Sequence, residues 1–185
     1  MGLTHTPQFA IGIDGGGTKS RACLVTAEGR ILSEHIFTAT NFQADHVQQI
    51  ASDIHSECDE LLKIAEIESD RVDIVAACLS GLGRKQAVAQ VEVALKERNF
   101  ANFIVAESDA RGALMGAFAG KPGIIVIAGT GSIAFALTEQ QELLRCGGWG
   151  YLLGDEASGF DLGRAAINAA LKDFDGRGPQ TNLRA

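Results

Sequence analysis

The stretch IGIDGGGTKSRA, Ile11 to Ala22, sets one carboxylate, Asp14, before three glycines, Gly15, Gly16 and Gly17, and then places Thr18 and Lys19 after them. The apolar run Phe9 to Asp14 that enters the glycines stops there, as a buried strand does. Ser20 to Thr26, which leaves them, is rich in small and β-compatible residues, so it reads as a second strand. This context excludes two phosphate motifs. A Walker A loop needs four residues between its glycines and a Gly-Lys-Ser/Thr that opens a helix, and a dinucleotide fingerprint also leads into a helix. What remains is a β-hairpin whose glycines let backbone amides approach an anion, with the Thr18 hydroxyl as a further donor. Asp14 at the strand end is placed to hold a hydrated magnesium ion against phosphates. A plain tight hairpin with a surface Asp is the competing reading of this stretch alone.

Outward from the hairpin, Ala27 to Gly29 is a turn and Ile31 to Phe37 a third strand. Ala44 to Ile67 spaces Val47, Ile50, Ala51, Ile54, Cys58, Leu61, Leu62 and Ala65 by threes and fours, which predicts a long amphipathic helix. Val72 to Leu79 is a compact apolar strand, Lys85 to Arg98 a helix, Phe103 to Ala106 a short strand and Arg111 to Ala119 a helix. The order is β, β, β, α, β, α, β, α. AlaGlyLysProGly at 119–123 then breaks the pattern.

Beyond this break the chain repeats its start. A shift of 112 residues pairs Gly17 and Thr18 with Gly129 and Thr130, Ser20 with Ser132, Ala22 with Ala134, Thr26 with Thr138, and Ile31 and Leu32 with Leu143 and Leu144. A repeat of this length fixes architecture before any single motif does. It predicts an α/β protein of two duplicated domains, one at 1–120 and the start of another at 121–185. The second copy offers only one helical pattern, about Ala157 to Phe174, and is expected to be the front of a longer enzyme or a truncated product. Its AlaGlyThrGlySer, residues 128–132, is a second donor-rich turn holding Gly129, Thr130 and Gly131. Two such turns facing across a cleft would grip two ends of a polyphosphate.

The 16 basic and 23 acidic residues give a formal charge of -7, which opposes non-specific attraction to nucleic acid or an anionic membrane. With 46% hydrophobic residues the chain buries an ordinary core. Cys23, Cys58, Cys78 and Cys146 lie too far apart for a CxxC pair or a disulfide framework, and are expected as buried free thiols in a reducing cytosol. His5, His35, His46 and His55 lack metal-ligand spacing. MGLTHTPQF has no secretory pattern and no stretch reaches membrane-spanning length, so a soluble, cytoplasmic protein is expected.

Three further places invite chemistry. Asp109 opens a helix, where it or Ser108 would serve as N-cap. GlyGlyTrpGlyTyr, 147–151, holds the one Trp, which a buried tight turn would explain. Asn41 reads as a loop residue or as a cap for the next helix.

Taken together, IGIDGGGTKSRA, AESDARGAL, IAGTGSIA and GGWGYLLGDEASG resemble the family of N-acetylglucosamine and glucosamine kinases and their BadF/BadG-type ATPase relatives, from Ile11 to about Asn168. That family lies in the superfamily of sugar kinases, heat-shock chaperones and actin, whose duplicated ribonuclease H-like domains hold ATP between them. The resemblance implies ATP and Mg2+ as cofactors, with Gly15, Gly16, Gly17, Thr18, Lys19, Gly129, Thr130 and Gly131 at the nucleotide and Asp14 at the metal through water. It implies Asp109 as the general base that takes a proton from the attacking sugar hydroxyl. Gly148 and Trp149 would line the amino-sugar pocket, Asp155 would hydrogen-bond sugar hydroxyls, and Asn41 would touch the sugar. Glu156 would belong to the site or begin the helix. The partners implied are an amino sugar and ATP, without nucleic acid or membrane, and with a homodimer as the assembly to test. After GlyThrGlySer the chain runs IleAlaPhe, where some members are polar, and nothing matches the adenine pocket that the later part of the second domain builds, so weak ATP binding is expected of these 185 residues. The alternatives are an ATPase that activates a dehydratase through an iron-sulfur cluster, for which clustered cysteines are wanting, and a nucleotide- or sugar-binding module without catalysis.

Overall fold

The computed structural model describes residues 8–68 and 72–184; His5 and most of the N-terminal MGLTHTPQF segment lie outside the described residues. The order of elements is β1 Phe9–Gly15, β2 Ser20–Thr26, β3 Ile31–Phe37, α1 Val47–Ile64, β4 Val72–Leu79, α2 Lys85–Glu97, β5 Ala101–Ser108, α3 Asp109–Phe118, β6 Gly123–Ala128, β7 Ser132–Leu137, β8 Leu143–Gly147 and α4 Gly159–Phe174, with a 3₁₀ turn at Asn182–Arg184. This is the α/β order expected from the sequence. The chain falls into two compact units, Met1–Ala113 and Leu114–Ala185.

In the first unit five strands lie in the order β3-β2-β1-β4-β5. β1, β2 and β3 form an antiparallel meander, whereas β1, β4 and β5 run parallel. Parallel neighbours need a crossover, and α1 and α2 supply the two crossovers. One apolar stripe of α1, Ile50, Ala51, Ile54, Cys58, Leu61 and Leu62, is buried, as are Ala87, Val91, Ala94 and Leu95 of α2. They join Ile11, Ile13, Leu24, Val72, Val75 and Leu79 of the sheet in one core.

The helix ends differ from the periodicity. α1 stops at Ile64 because Glu66 takes a left-handed conformation, φ 55°, while Ile67 N donates to Leu62 O at 2.9 Å. That closes a helix in the manner of a Schellman motif without glycine, which is why apolar spacing suggested helix as far as Ile67. β5 is two residues longer at each end than the apolar run 103–106 suggested; it is an edge strand, where polar residues are tolerated.

The second unit is a three-stranded antiparallel meander, β6-β7-β8, and then α4. β7 and β8 begin at Ser132 and Leu143, 112 residues after β2 and β3. Its apolar residues are poorly covered: α4 has no buried residue, and Val126 and Leu153 are 72% and 84% exposed. Of the cysteines only Cys58 is buried; Cys23 and Cys78 are half-buried and Cys146 is exposed, which corrects the expectation of four buried thiols. No helix among the described residues is long and apolar enough to cross a membrane.

The first unit's packing makes two measurable predictions. Leu61 is fully buried, and Leu61→Ala is expected to cost about 2–5 kcal/mol of unfolding free energy, measured by urea titration. Glu57 is buried on α1 and shares a 2.7 Å hydrogen bond with His35 Nδ1 of β3. Burial pushes the Glu57 carboxyl above its ordinary pKa, with His35 opposing the shift and Glu60 adding to it. The folded state therefore holds this proton to higher pH than the unfolded chain does. The resulting stability is present below the ordinary carboxylate pKa, about 4.3, and is lost as pH rises through the raised value. Glu57→Gln should gain stability relative to the parent as pH climbs from about 4 to about 7. Denaturation midpoints that differ by the same amount at every pH would contradict this.

Candidate functional site

The parallel register fixes what stands at the carboxyl end of the first sheet, the end where open α/β sheets bind ligands. Asp14 of β1 pairs with Cys78 of β4, and Cys78 pairs with Glu107 of β5; one step on, Gly15, Leu79 and Ser108 form the next row. Asp109 comes directly after, as the first residue of α3. Since neighbouring strands lie about 4.8 Å apart, the backbones at Asp14 and Asp109 are roughly 10 Å from each other, two strand spacings. Both side chains are exposed.

The N-cap question resolves in favour of Ser108, which is buried and whose Oγ accepts from Arg111 N at 3.3 Å. Asp109 Oδ1 accepts the adjacent Ala110 amide, at 2.8 Å, a bond within the same turn that caps nothing further along the helix. Capping thus does not occupy Asp109. Asn41 does not cap a helix either: α1 begins at Val47 with His46 at its N-cap, and that cap makes no side-chain hydrogen bond.

The hairpin between β1 and β2 is closed by Gly16 N donating to Lys19 O at 3.2 Å. Its three glycines serve different ends. A Cβ on Gly15 would stand 2.6 Å from Thr40 Oγ1, and one on Gly16 would stand 2.7 Å from Lys19 O. A Cβ on Gly17 would meet nothing within 4 Å, and Gly17 has no positive φ. Neither packing nor backbone conformation demands glycine there. Its repeat counterpart, Gly129, shares both properties. Gly17, Thr18 and Lys19 are exposed, as are Gly129 and Thr130, so each turn presents an open, side-chain-poor surface with a hydroxyl beside it.

A buried polar pair, which sequence reasoning missed, supports the first turn. Ser20 Oγ and Thr40 Oγ1 are 2.8 Å apart, and Thr40 N donates to Ser20 Oγ at 2.9 Å. Both residues are buried. Ser80 N donates to Gly15 O at 2.7 Å and Phe42 N to Ser80 O at 2.8 Å, so Asn41 is held between two anchored neighbours. Two ordinary hydroxyl residues 20 positions apart carry no local sequence signal.

In the second unit the turn after β6 is fastened to the start of α4. Gly129 N donates to Gly131 O at 2.8 Å, Gly159 N to Gly129 O at 2.8 Å, and Phe160 N to Thr130 O at 3.3 Å. Ser132 Oγ donates to Glu156 O at 2.7 Å, and Glu156 lies before the helix rather than in it. Ser158, fully buried, caps α4 by accepting from Asp161 N at 3.2 Å. Asp161 accepts from Ala157 N and pairs with Arg164, and these contacts hold its carboxyl below the usual range, the Ala157 amide first.

Asp155 takes a left-handed backbone, φ 61°. Its Oδ1 accepts from Gly150 N at 3.2 Å, while its Oδ2 lies 2.6 Å from where a Gly131 Cβ would stand. It therefore joins the glycine-tryptophan loop to the second glycine turn, bringing Gly131, Gly148, Trp149 and Asp155 into one part of this unit. Gly147, Gly148 and Gly150 all have positive φ, a run that only glycine adopts easily. Trp149 is 71% exposed, with Arg145 over its ring at 5.1 Å, so burial does not explain this Trp.

Residues 11–185 match the BadF/BadG/BcrA/BcrD ATPase family. The chain belongs to that family. It is 33% identical over 180 residues to an N-acetylmuramic acid/N-acetylglucosamine kinase of Clostridium acetobutylicum, covering 95% of this chain and 58% of that protein. It is 31% identical over 186 residues to an N-acetyl-D-glucosamine kinase of Dictyostelium discoideum, with the same coverages of 95% and 58%. A crystal structure from Chromobacterium violaceum, of a protein provisionally described as an N-acetylglucosamine kinase, superposes with a TM-score of 0.69 at 30% identity, covering 97% of this chain and 62% of that one. The chain thus spans about six tenths of the length of these relatives.

The glycines supply a direct test of the site. Gly17→Ala and Gly129→Ala are expected to change unfolding free energy by less than about 1 kcal/mol, whereas Gly16→Ala, which meets the Lys19 carbonyl, should destabilise visibly. Thr40→Val should cost about 1–3 kcal/mol by removing the hydroxyl paired with buried Ser20 Oγ, which then keeps only the amide of residue 40, and Ser20→Ala combined with it should cost less than the sum of the two.

Proposed function

We propose that the polypeptide to which these residues belong is an ATP- and Mg2+-dependent kinase that phosphorylates a hydroxyl of an amino sugar, glucosamine or N-acetylglucosamine. The observation that carries this reading is the placement of Asp14 and Asp109 at one end of the parallel strands, both exposed and neither consumed by capping. The names of the relatives support the class of substrate.

In this reading residues 1–120 form the first ribonuclease H-like domain and 121–185 begin the second. Gly15, Gly16, Gly17, Thr18 and Lys19 meet phosphate through backbone amides, the Thr18 hydroxyl and the Lys19 ammonium, and Gly129, Thr130 and Gly131 serve phosphate likewise. The open side of Gly17 and of Gly129 is where an anion approaches the backbone. Asp14 is an exposed carboxylate with no ion pair among its described contacts, which fits a hydrated cation held through water. A magnesium ion held there through water would supply positive charge against the phosphates.

Asn41, Gly148, Trp149 and Asp155 contact the sugar, Trp149 offering an exposed ring face. Asp109 accepts the hydroxyl proton as the sugar oxygen bonds to the γ-phosphorus and the bond from that phosphorus to the departing ADP oxygen breaks. Phosphoryl transfer asks a protein chiefly to position these groups and stabilise charge. The base contributes typically about 10²- to 10⁴-fold.

The test is a coupled ADP-release assay on the full-length protein with a panel of hexoses and amino sugars, N-acetylmuramic acid included. An amino sugar should stimulate ADP release, and Asp109→Asn should lower kcat by about 10²- to 10⁴-fold. Absence of stimulation by any amino sugar, or normal turnover by the Asn variant, would sink the proposal. Gly17→Ala, whose fold should be intact, should raise the KM for ATP.

A further inference from the structure

Between Asp14 and Asp109 lies a contact that the proposed chemistry does not use. Cys78 lies in the middle strand of the row Asp14, Cys78, Glu107 and meets α3 at Gly112. Gly112 is the fourth residue of that helix, and a Cβ there would lie 2.6 Å from Cys78 Sγ and 2.7 Å from Cys78 Cβ. The helix thus sits on the strand at a distance only glycine permits. Gly116, one turn later, would place a Cβ in open space. Glycine is a poor helix former, so its use at 112 has a packing reason that its use at 116 lacks. Ala106 and Ala110, also small, are buried beside this junction in sequence.

We propose that Gly112 and Cys78 form a positioning contact, which seats the first turn of α3 on β4 and thereby sets where Asp109 stands relative to Asp14. The catalytic part of this inference rests on the kinase reading; the packing part does not. Cys78 acts here as a neutral wedge. Burial raises its thiol to about 11, with Glu107, Asp14 and Asp109 adding to the effect, so near neutral pH it stays protonated rather than acting as a nucleophile. A Cβ at 112 has to push the helix from the strand, and Asp109, three residues earlier on the same turn, moves with it. Displacement of a base by about 1 Å costs on the order of 10²-fold in rate.

The experiment compares Gly112→Ala, Gly112→Ala/Cys78→Gly and Gly116→Ala in the full-length protein, by amide hydrogen exchange and by turnover. Gly112→Ala should speed exchange of the Ala110 and Arg111 amides about tenfold, without change at β1, and lower kcat at least tenfold with KM for ATP and sugar within about threefold. Cys78→Gly removes both atoms that meet the new methyl, so the double variant should regain slow exchange and turnover. Gly116→Ala should match the parent in both. A merely structural role predicts lower stability with kcat per folded molecule unchanged, and that result overturns the proposal. If Gly112→Ala does not fold, the double variant decides: recovery of fold and turnover supports the contact, and no recovery refutes it. If the parent phosphorylates no amino sugar, the kinase reading falls, and the exchange rates alone decide whether the contact positions α3.

Discussion

Parallel pairing of β1, β4 and β5 is the constraint on which the first unit's candidate site depends. A one-residue slip in either pairing would exchange the faces of a whole strand, so the buried side chains of Ile11, Val75 and Ile104, which share one register row, hold the alignment. Once that row is fixed, so is the row at the strand ends, and Asp14 and Asp109 come to the same edge although they are 95 residues apart in sequence. The crossovers α1 and α2 serve that alignment, because their buried stripes close the core against the sheet. The placement of both carboxylates at this edge is thus a consequence of packing some distance from it.

Glycine marks where the backbone must come close to something, but the something differs. At 15 and 16 the neighbour is the protein itself, Thr40 and the Lys19 carbonyl, and at 112 it is Cys78. At 147, 148 and 150 the cause is backbone conformation. At 17 and 129 neither cause is present, and the two positions are repeat equivalents. Glycine weakens local structure, so its use at two corresponding open turns is consistent with the phosphate contact proposed there.

Much of the fold was legible because the chain states it locally. Strands that stop at glycine and a helix with apolar residues every three or four positions gave the element order, and the repeat gave the second hairpin meander. Boundaries were less legible where closure used unexpected residues, as when Glu66 ended α1 in a conformation usually left to glycine. For the candidate site, the sequence offered Asp14, Asp109 and the two turns as candidates, yet could not decide between Ser108 and Asp109 as cap; the hydrogen bond from Arg111 N to Ser108 Oγ distinguishes them. The Ser20–Thr40 pair and the Gly112–Cys78 seat were invisible, since each joins residues that only tertiary structure makes neighbours. Trp149 ran against the usual habit of a lone Trp: it is exposed, in a loop of left-handed glycines.

The repeat is not a copy in its chemistry. Four residues, 16–19, separate β1 from β2, whereas three, 129–131, separate β6 from β7. Aligned through the strand before the turn, Gly15 corresponds to Ala128 and Asp14 to Ile127. The first turn therefore carries a carboxylate at its entrance, and the second carries none. The second gains instead a carboxylate from outside the hairpin, Asp155, whose side chain packs where Gly131 has none. Charge that the first unit places within its strand, the second brings in from the loop before α4. The same backbone device, a glycine turn with a hydroxyl, is thus set in two electrostatic contexts: in one the carboxylate is exposed and makes no ion pair among the described residues, and in the other it is hydrogen-bonded to Gly150 N. An uncommitted carboxylate is available to a cation, and one that already accepts a backbone amide is suited to holding a loop. On that physical ground Asp14 suits the metal role proposed for it, and Asp155, beside the sugar contact proposed for it, orders the glycine-tryptophan loop.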